Sequence, residues 1–144
     1  MKPITQGILK EAMPWEIDMA KGWIFVASDN GLIQYDGLSP EVFQFNNRRP
    51  ARSVNIDIEE EKIFAGGISE FGYFVPSTTK SLEYICLSDS VGEDRHLGNI
   101  WGIYHKDGVV YAQGDHAVLL YDLKNGKHFI INSDHKLDLS SMIN

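Results

Sequence analysis

One cysteine, Cys86, is all the thiol chemistry this sequence has. A lone cysteine excludes an internal disulfide and a CxxC metal site, and its expected place is in the core as a small buried hydrophobe rather than at the surface as a nucleophile. Basic residues are scarce too: 13 Lys and Arg stand against 20 Asp and Glu, giving a net charge of -7 and a pI near 5.1. A chain so charged repels nucleic-acid phosphates, so no DNA or RNA partner is expected for this segment. No apolar run approaches the ~20 residues that cross a bilayer, so no direct membrane contact is expected either. The opening Met1-Lys2-Pro3-Ile4-Thr5-Gln6-Gly7-Ile8-Leu9-Lys10 lacks the apolar stretch of a secretory signal. That leaves two readings open: a cytosolic protein, or a chain that begins after a removed or omitted signal.

Signatures of catalysis are missing as well. No serine elbow, P-loop or dinucleotide fingerprint occurs, so neither an enzyme nor a bound cofactor is expected. Histidines fall late, at His96, His105, His116, His128 and His135. No two of them share the i, i+2 spacing of a strand face or the i, i+4 spacing of a helical zinc motif, so no metal site is expected. His116 follows Asp115, but a dyad there has no nucleophile beside it.

What is present is an ordered composition. Of 144 residues, 43% are hydrophobic and 11% aromatic, enough for one folded domain and too much for a disordered chain. Strand signals fill it. Trp23-Ile24-Phe25-Val26-Ala27 and Gly108-Val109-Val110-Tyr111-Ala112 are β-branched and aromatic runs, each followed by a turn and a second run ending in Tyr35-Asp36 or Tyr121-Asp122. Residues 22–36 and 108–122 match without a gap at a constant offset of 86. A middle copy maps Ile17 to Ile56, 39 on, and Ile56 to Ile103, 47 on. The unit is roughly 43 residues and occurs three times, a period that points to propeller blades.

The first strand of each unit alternates. Trp15, Ile17 and Met19 correspond to Val54, Ile56 and Ile58, and to Trp101, Ile103 and His105, predicting one apolar face per strand. On that face His105 is expected as a hydrogen-bonded buried histidine. Fourth strands are predicted at 42–45, 82–87 and 127–131. The fold class is therefore all-β: three four-stranded antiparallel blades forming part of a β-propeller, with residues 1–144 as one partial propeller and blades near 12–50, 51–92 and 93–136. Closed propellers have about 4–8 blades, so three imply an arc: a fragment, a truncated gene product, or a protomer that closes by oligomerising.

Trp15-Glu16-Ile17-Asp18 through Gly31-Leu32-Ile33-Gln34-Tyr35-Asp36-Gly37 resembles the two-component-regulator propeller repeat. The second unit, Arg52-Ser53-Val54 through Ser69-Glu70-Phe71-Gly72-Tyr73-Phe74, and the third, from Asp94-Arg95-His96 to Trp101-Gly102-Ile103-Tyr104, extend the resemblance over about residues 12–131. Ala117 departs from it, standing where the repeat prefers glycine. Together the units are similar to the N-terminal blades of large sensor regulators of Bacteroides-type bacteria. That resemblance implies a non-catalytic segment of an extracytoplasmic sensor of a two-component or one-component system, periplasmic, sensing an oligosaccharide or other small nutrient. It also implies a longer ancestor with further blades, a three-tyrosine β-sandwich, a membrane helix and a histidine kinase or LuxR-like output. The alternative is a standalone interaction or self-assembling module, its flanking blades joining a second copy or another propeller.

Several residues carry two readings. Asp57, Glu59, Glu60 and Glu61 form an acidic run that is expected to be a solvated hairpin turn rather than a cation site or a glycosidase carboxylate pair. Arg48, Arg49 and Arg52 either offset the acidic surface or grip an anionic group. Trp15 and Trp101, at equivalent strand starts, either pack between blades or stack on sugar rings at the propeller mouth. Phe71 and Tyr73 are expected in blade-to-blade packing, with Gly72 needed for a tight entry to the third strand. The ligand-binding candidates are Arg52, Glu70, Trp101 and Arg95.

Overall fold

The computed structural model describes residues 14–20, 22–35, 39–79 and 81–132. Among them, twelve strands form three antiparallel four-stranded sheets, each meandering in chain order. Blade 1 comprises β1 (Pro14–Ala20), β2 (Trp23–Ser28), β3 (Gly31–Tyr35) and β4 (Pro40–Phe43). Blade 2 comprises β5 (Ser53–Asp57), β6 (Lys62–Gly66), β7 (Phe71–Pro76) and β8 (Leu82–Cys86). Blade 3 comprises β9 (Gly102–Lys106), β10 (Val109–Gln113), β11 (Ala117–Asp122) and β12 (His128–Asn132). A 3₁₀ segment, Ser88–Arg95, kinked at Gly92, links the second blade to the third.

Blade 2 is covered on both faces. Phe25, Ala27 and Leu32 of blade 1 pack with Val54, Ile63, Ala65 and Phe74 in one core. Phe64 and Phe71 pack with Ile103, Val110, Ala112 and Leu119 of blade 3 in another. Phe64 and Phe71 are fully buried, and each side chain of that size contributes ~1.5–3 kcal/mol by leaving water. Phe71 meets Tyr121 of blade 3 edge to face at 6.2 Å, the blade-to-blade packing expected of it. Gly72 is required by a close approach: a Cβ there would collide with the carbonyl oxygen of Ile85 and reach the Tyr84 ring at 2.9 Å. Ala117 is tolerated because its backbone is conventional, whereas Gly31 adopts φ +113° with a Cβ position 2.5 Å from the Phe43 carbonyl.

Three expectations are corrected. The middle repeat is shifted by two residues from the sequence match. The pairs Ala27 with Leu32, Gly66 with Phe71 and Gln113 with Val118 are equivalent, which places Ile17, Val54 and Ile103 at one structural position and Met19, Ile56 and His105 at another. The cause is the first hairpin. Ala20 pairs with Trp23 and Lys106 with Val109, but Asp57 pairs with Lys62 across a longer turn. Ile58 therefore lies in that turn and is 48% exposed.

The second correction concerns β1. Trp15, Ile17 and Met19 are exposed, and the polar positions between them face blade 2. The edge of β5 that does not pair with β6 leaves N–H groups to be satisfied. Glu16 Oε1 accepts from Val54 N at 2.8 Å, and Asp18 Oδ2 from Ile56 N at 2.7 Å. Burial pushes the Glu16 carboxyl up, against the pull of the Val54 N–H. Third, Cys86 is half-buried rather than buried, with Sγ 3.3 Å from Ser88 Oγ. A smaller difference is at Phe45, which leaves the sheet after β4 and turns into the core against Phe74 and Tyr84.

Candidate functional site

The starts of the three innermost strands converge. Trp15 precedes the Glu16–Ala27 pair, while Arg52 N–H donates to Gly66 O and Trp101 N–H to Gln113 O, so the three residues hold one repeat position. The guanidinium of Arg52 lies 4.3 Å from the Trp15 ring centroid and 5.6 Å from that of Trp101. The two indoles meet at 5.6 Å, edge to face. Each ring is oriented by a carboxylate: Trp15 Nε1 donates to Asp29 Oδ1 at 2.8 Å, and Trp101 Nε1 to Asp115 Oδ1 at 2.7 Å. Arg52 Nη1 donates to the same Asp29 oxygen at 2.9 Å, and its Nε donates to Asn99 Oδ1 at 3.0 Å. Asn99 in turn donates from its backbone N to Asp115 Oδ2.

All three blades are thus joined at one end by a cation set against two indoles that also meet each other, a cation–π arrangement worth ~0.5–2 kcal/mol depending on its exposure. The Trp15 N–H, and after it Arg52, hold the Asp29 carboxyl below the usual carboxylate range. Burial opposes ionisation of Asp115, but the Trp101 N–H and the two Asn99 donors outweigh it and the carboxyl is again held low. The indoles remain 44% and 41% exposed while the Arg52 side chain is only 14% exposed. Chemically the cluster offers two rigid aromatic surfaces and no spare guanidinium: Arg52 is committed to Asp29 and Asn99.

Of the four candidates, the structure brings together Arg52 and Trp101 and leaves Glu70 and Arg95 elsewhere. Glu70 is 6% exposed. Its oxygens accept from Asn46 N at 2.9 Å, Asn47 N at 3.0 Å and Tyr84 Oη at 2.7 Å, tying the turn after blade 1 to blade 2. Burial, then the neighbouring Cys86 and Glu70, drive the Tyr84 hydroxyl far above its ordinary range, so it stays a donor. Arg95 sits at the end of the 3₁₀ segment, with Nη1 on the Gly92 carbonyl. Arg48 and Arg49 are exposed and contribute nothing to the cluster.

Glu59, Glu60 and Glu61 are exposed in the turn after β5, but Asp57 is drawn inward. Its Oδ2 lies 2.5 Å from His105 Nδ1, and the imidazole stacks on Phe64 at 4.8 Å. His116 is exposed, His128 pairs with Asp94 at 2.8 Å, and His135 lies outside the described residues. No group of three or more His, Cys, Asp or Glu side chains among the described residues is arranged to hold a metal ion. Sequence reading missed Asp29 and Asn99, and took Asp115 only as the neighbour of His116 rather than the partner of Trp101. A signal existed for two of the three, because the constant offset of 86 that relates Trp15 to Trp101 also relates Asp29 to Asp115.

Fold and cluster define a class: an arc of β-propeller blades with an aromatic mouth. No protein-family model and no curated protein sequence matches the chain. Solved structures do. The extracellular domain of BT4673 from B. thetaiotaomicron, described both as a one-component and as a hybrid two-component system, superposes with a TM-score of 0.62 at 15% identity over 87% of this chain. The WD40 β-propeller domain of Doa1 gives 0.59 at 19% identity over 85% of the chain, and the computationally designed Ika4 protein 0.52 at 9% identity over 88%. The chain spans 16% of the BT4673 domain, 42% of the Doa1 domain and 69% of Ika4. At these identities the shared property is the propeller fold.

Proposed function

We propose that this chain is a non-catalytic recognition segment of an extracytoplasmic sensor, with Trp15 and Trp101 forming a stacking platform for an oligosaccharide or similar nutrient. The observation that carries this is the pair of half-exposed indoles, in edge-to-face contact with each other, each pinned by a carboxylate and both set against Arg52. Fixed aromatic faces cost little ordering entropy on binding and suit the apolar face of a sugar ring. Similarity in fold to a bacterial sensor's extracellular domain supports the setting, and a periplasmic location goes with it. Binding would act by shifting how this arc packs on its neighbours rather than by chemistry. Calorimetric titration with cello-, malto- and xylo-oligosaccharides is the test. At least one should bind saturably, and Trp101→Ala should weaken it about tenfold, ~1.4 kcal/mol. No binding across the panel, or unchanged affinity in both Trp101→Ala and Trp15→Ala, would overturn the reading.

A second reading concerns partners. In blades 1 and 2 the row containing Phe25 or Phe64 is covered by the next blade. The equivalent row of blade 3 runs through Tyr111, Leu120 and Phe129, where Phe129 is 65% exposed. We propose that this face receives a further blade, from a parent sensor or a second copy of this chain. Light scattering after size exclusion should show a defined dimer for the isolated chain, lost in Phe129→Lys; a monomer in both would exclude the second copy.

A further inference from the structure

At the opposite end from the mouth, between blades 1 and 2, lies a cavity of about 350 Å³. Buried Phe25 and Ile63 form its floor, Ala20 and Ile56 its sides, and exposed Trp23 and Ile58 its lips. The repeat shows what fills this place elsewhere. Phe25 and Phe64 are equivalent, being paired to Asp18 and Asn55, and Ile56 is the equivalent of His105. Between blades 2 and 3 the imidazole of His105 occupies the space over Phe64, the rings 20° from parallel, with its N–H side turned to the Asp57 carboxylate. Between blades 1 and 2 that position carries an aliphatic side chain without a ring, and the longer turn after β5 leaves Ile58 exposed at the lip rather than filling the cleft.

The rim supplies charge. Glu61 and Asp57 border the cavity together with Lys62, but the Lys62 ammonium lies 4.9 Å over the Tyr73 ring and Asp57 is paired with His105. Exposed Glu61 is therefore the carboxylate left to act on an incoming group. We propose that this cleft binds a small planar aromatic cation, its ring seated between Trp23 and Ile58 over Ile56, and its ammonium facing Glu61. The ring replaces the heteroaromatic group that the neighbouring interface builds from its own chain, and the indole of Trp23 adds a cation-attracting face.

Tryptamine and indole-3-propionate, which share a ring and differ in charge, are suitable probes by heteronuclear NMR titration of the whole chain. Tryptamine should bind saturably, with shifts centred on Trp23, Ile56 and Ile58, and indole-3-propionate should not. Ile56→Phe, which fills the cleft, should abolish binding; Glu61→Gln, in an exposed turn where folding is not at stake, should weaken it about fivefold. Equal binding of the two probes, no saturable binding of tryptamine, or unchanged affinity in Glu61→Gln would overturn the proposal.

Discussion

Replacing Glu70 with alanine is expected to destabilise the chain by ~3 kcal/mol, because three donors lose their acceptor together. Two are backbone N–H groups, Asn46 and Asn47, and the third is the Tyr84 hydroxyl. None of these can readily turn elsewhere: the turn at 45–48 is closed by the Arg48 N–H on Phe45 O, and Phe45 itself is buried against Tyr84. At this chain length the loss corresponds to a fall in Tm of about 10 °C. Glu70→Gln should cost roughly half as much, since one amide oxygen still accepts while the NH2 faces donors. Urea unfolding followed by tryptophan fluorescence measures both. A loss below ~1 kcal/mol in Glu70→Ala would show that the latch is not what Glu70 supplies.

His105→Ala is expected to cost a similar ~3 kcal/mol, the sum of a lost buried ring and a lost partner for Asp57. The side chain of His105 is 6% exposed, and its Nε2 is buried without a hydrogen-bond partner, so its worth lies in Nδ1 and in the stack on Phe64. The same pair makes stability depend on acid. Burial opposes ionisation of Asp57, but the Glu60 and Glu59 N–H groups and His105 outweigh it, and the carboxyl is held below the usual range. A depressed carboxylate stabilises the fold above its unfolded pKa, and that contribution fades as pH falls below about 4 through the folded value. Asp57→Asn should therefore be less stable than the parent at neutral pH, and the gap should close in acid. Urea midpoints between neutral pH and pH ~3 check it; a gap that stays constant would assign the effect to packing alone.

How much of this was legible beforehand differs by residue. The blades were, because β-branched and aromatic runs broken by Gly and polar turns are local signals, and a gapless match over 22–36 and 108–122 repeats them. Trp15 and Trp101 were paired correctly for the same reason. Arg52 was noticed as part of a basic cluster with Arg48 and Arg49, yet its partners are two indoles and Asp29, contacts between blades that no local pattern contains. Glu70 reads in sequence as a ligand-binding candidate, and its role as an acceptor for backbone N–H groups emerges only once the turn after blade 1 folds back onto blade 2.

The sequence by itself determined the all-β class, the three units and the order of strands within each, since alternation and turn chemistry act over a few residues. Tertiary structure decided the rest. The two-residue shift of the middle unit follows from one long hairpin turn, whose effect is visible only when strands pair. The exposure of Ile17 and Met19 is another such outcome: their equivalents Val54 and Ile56, and Ile103, face the blade before them, and among the described residues no sheet lies on that side of β1. A backbone donor left without a partner costs ~1–3 kcal/mol, and the β5 N–H groups of Val54 and Ile56 find theirs in Glu16 and Asp18 only when one blade meets the next.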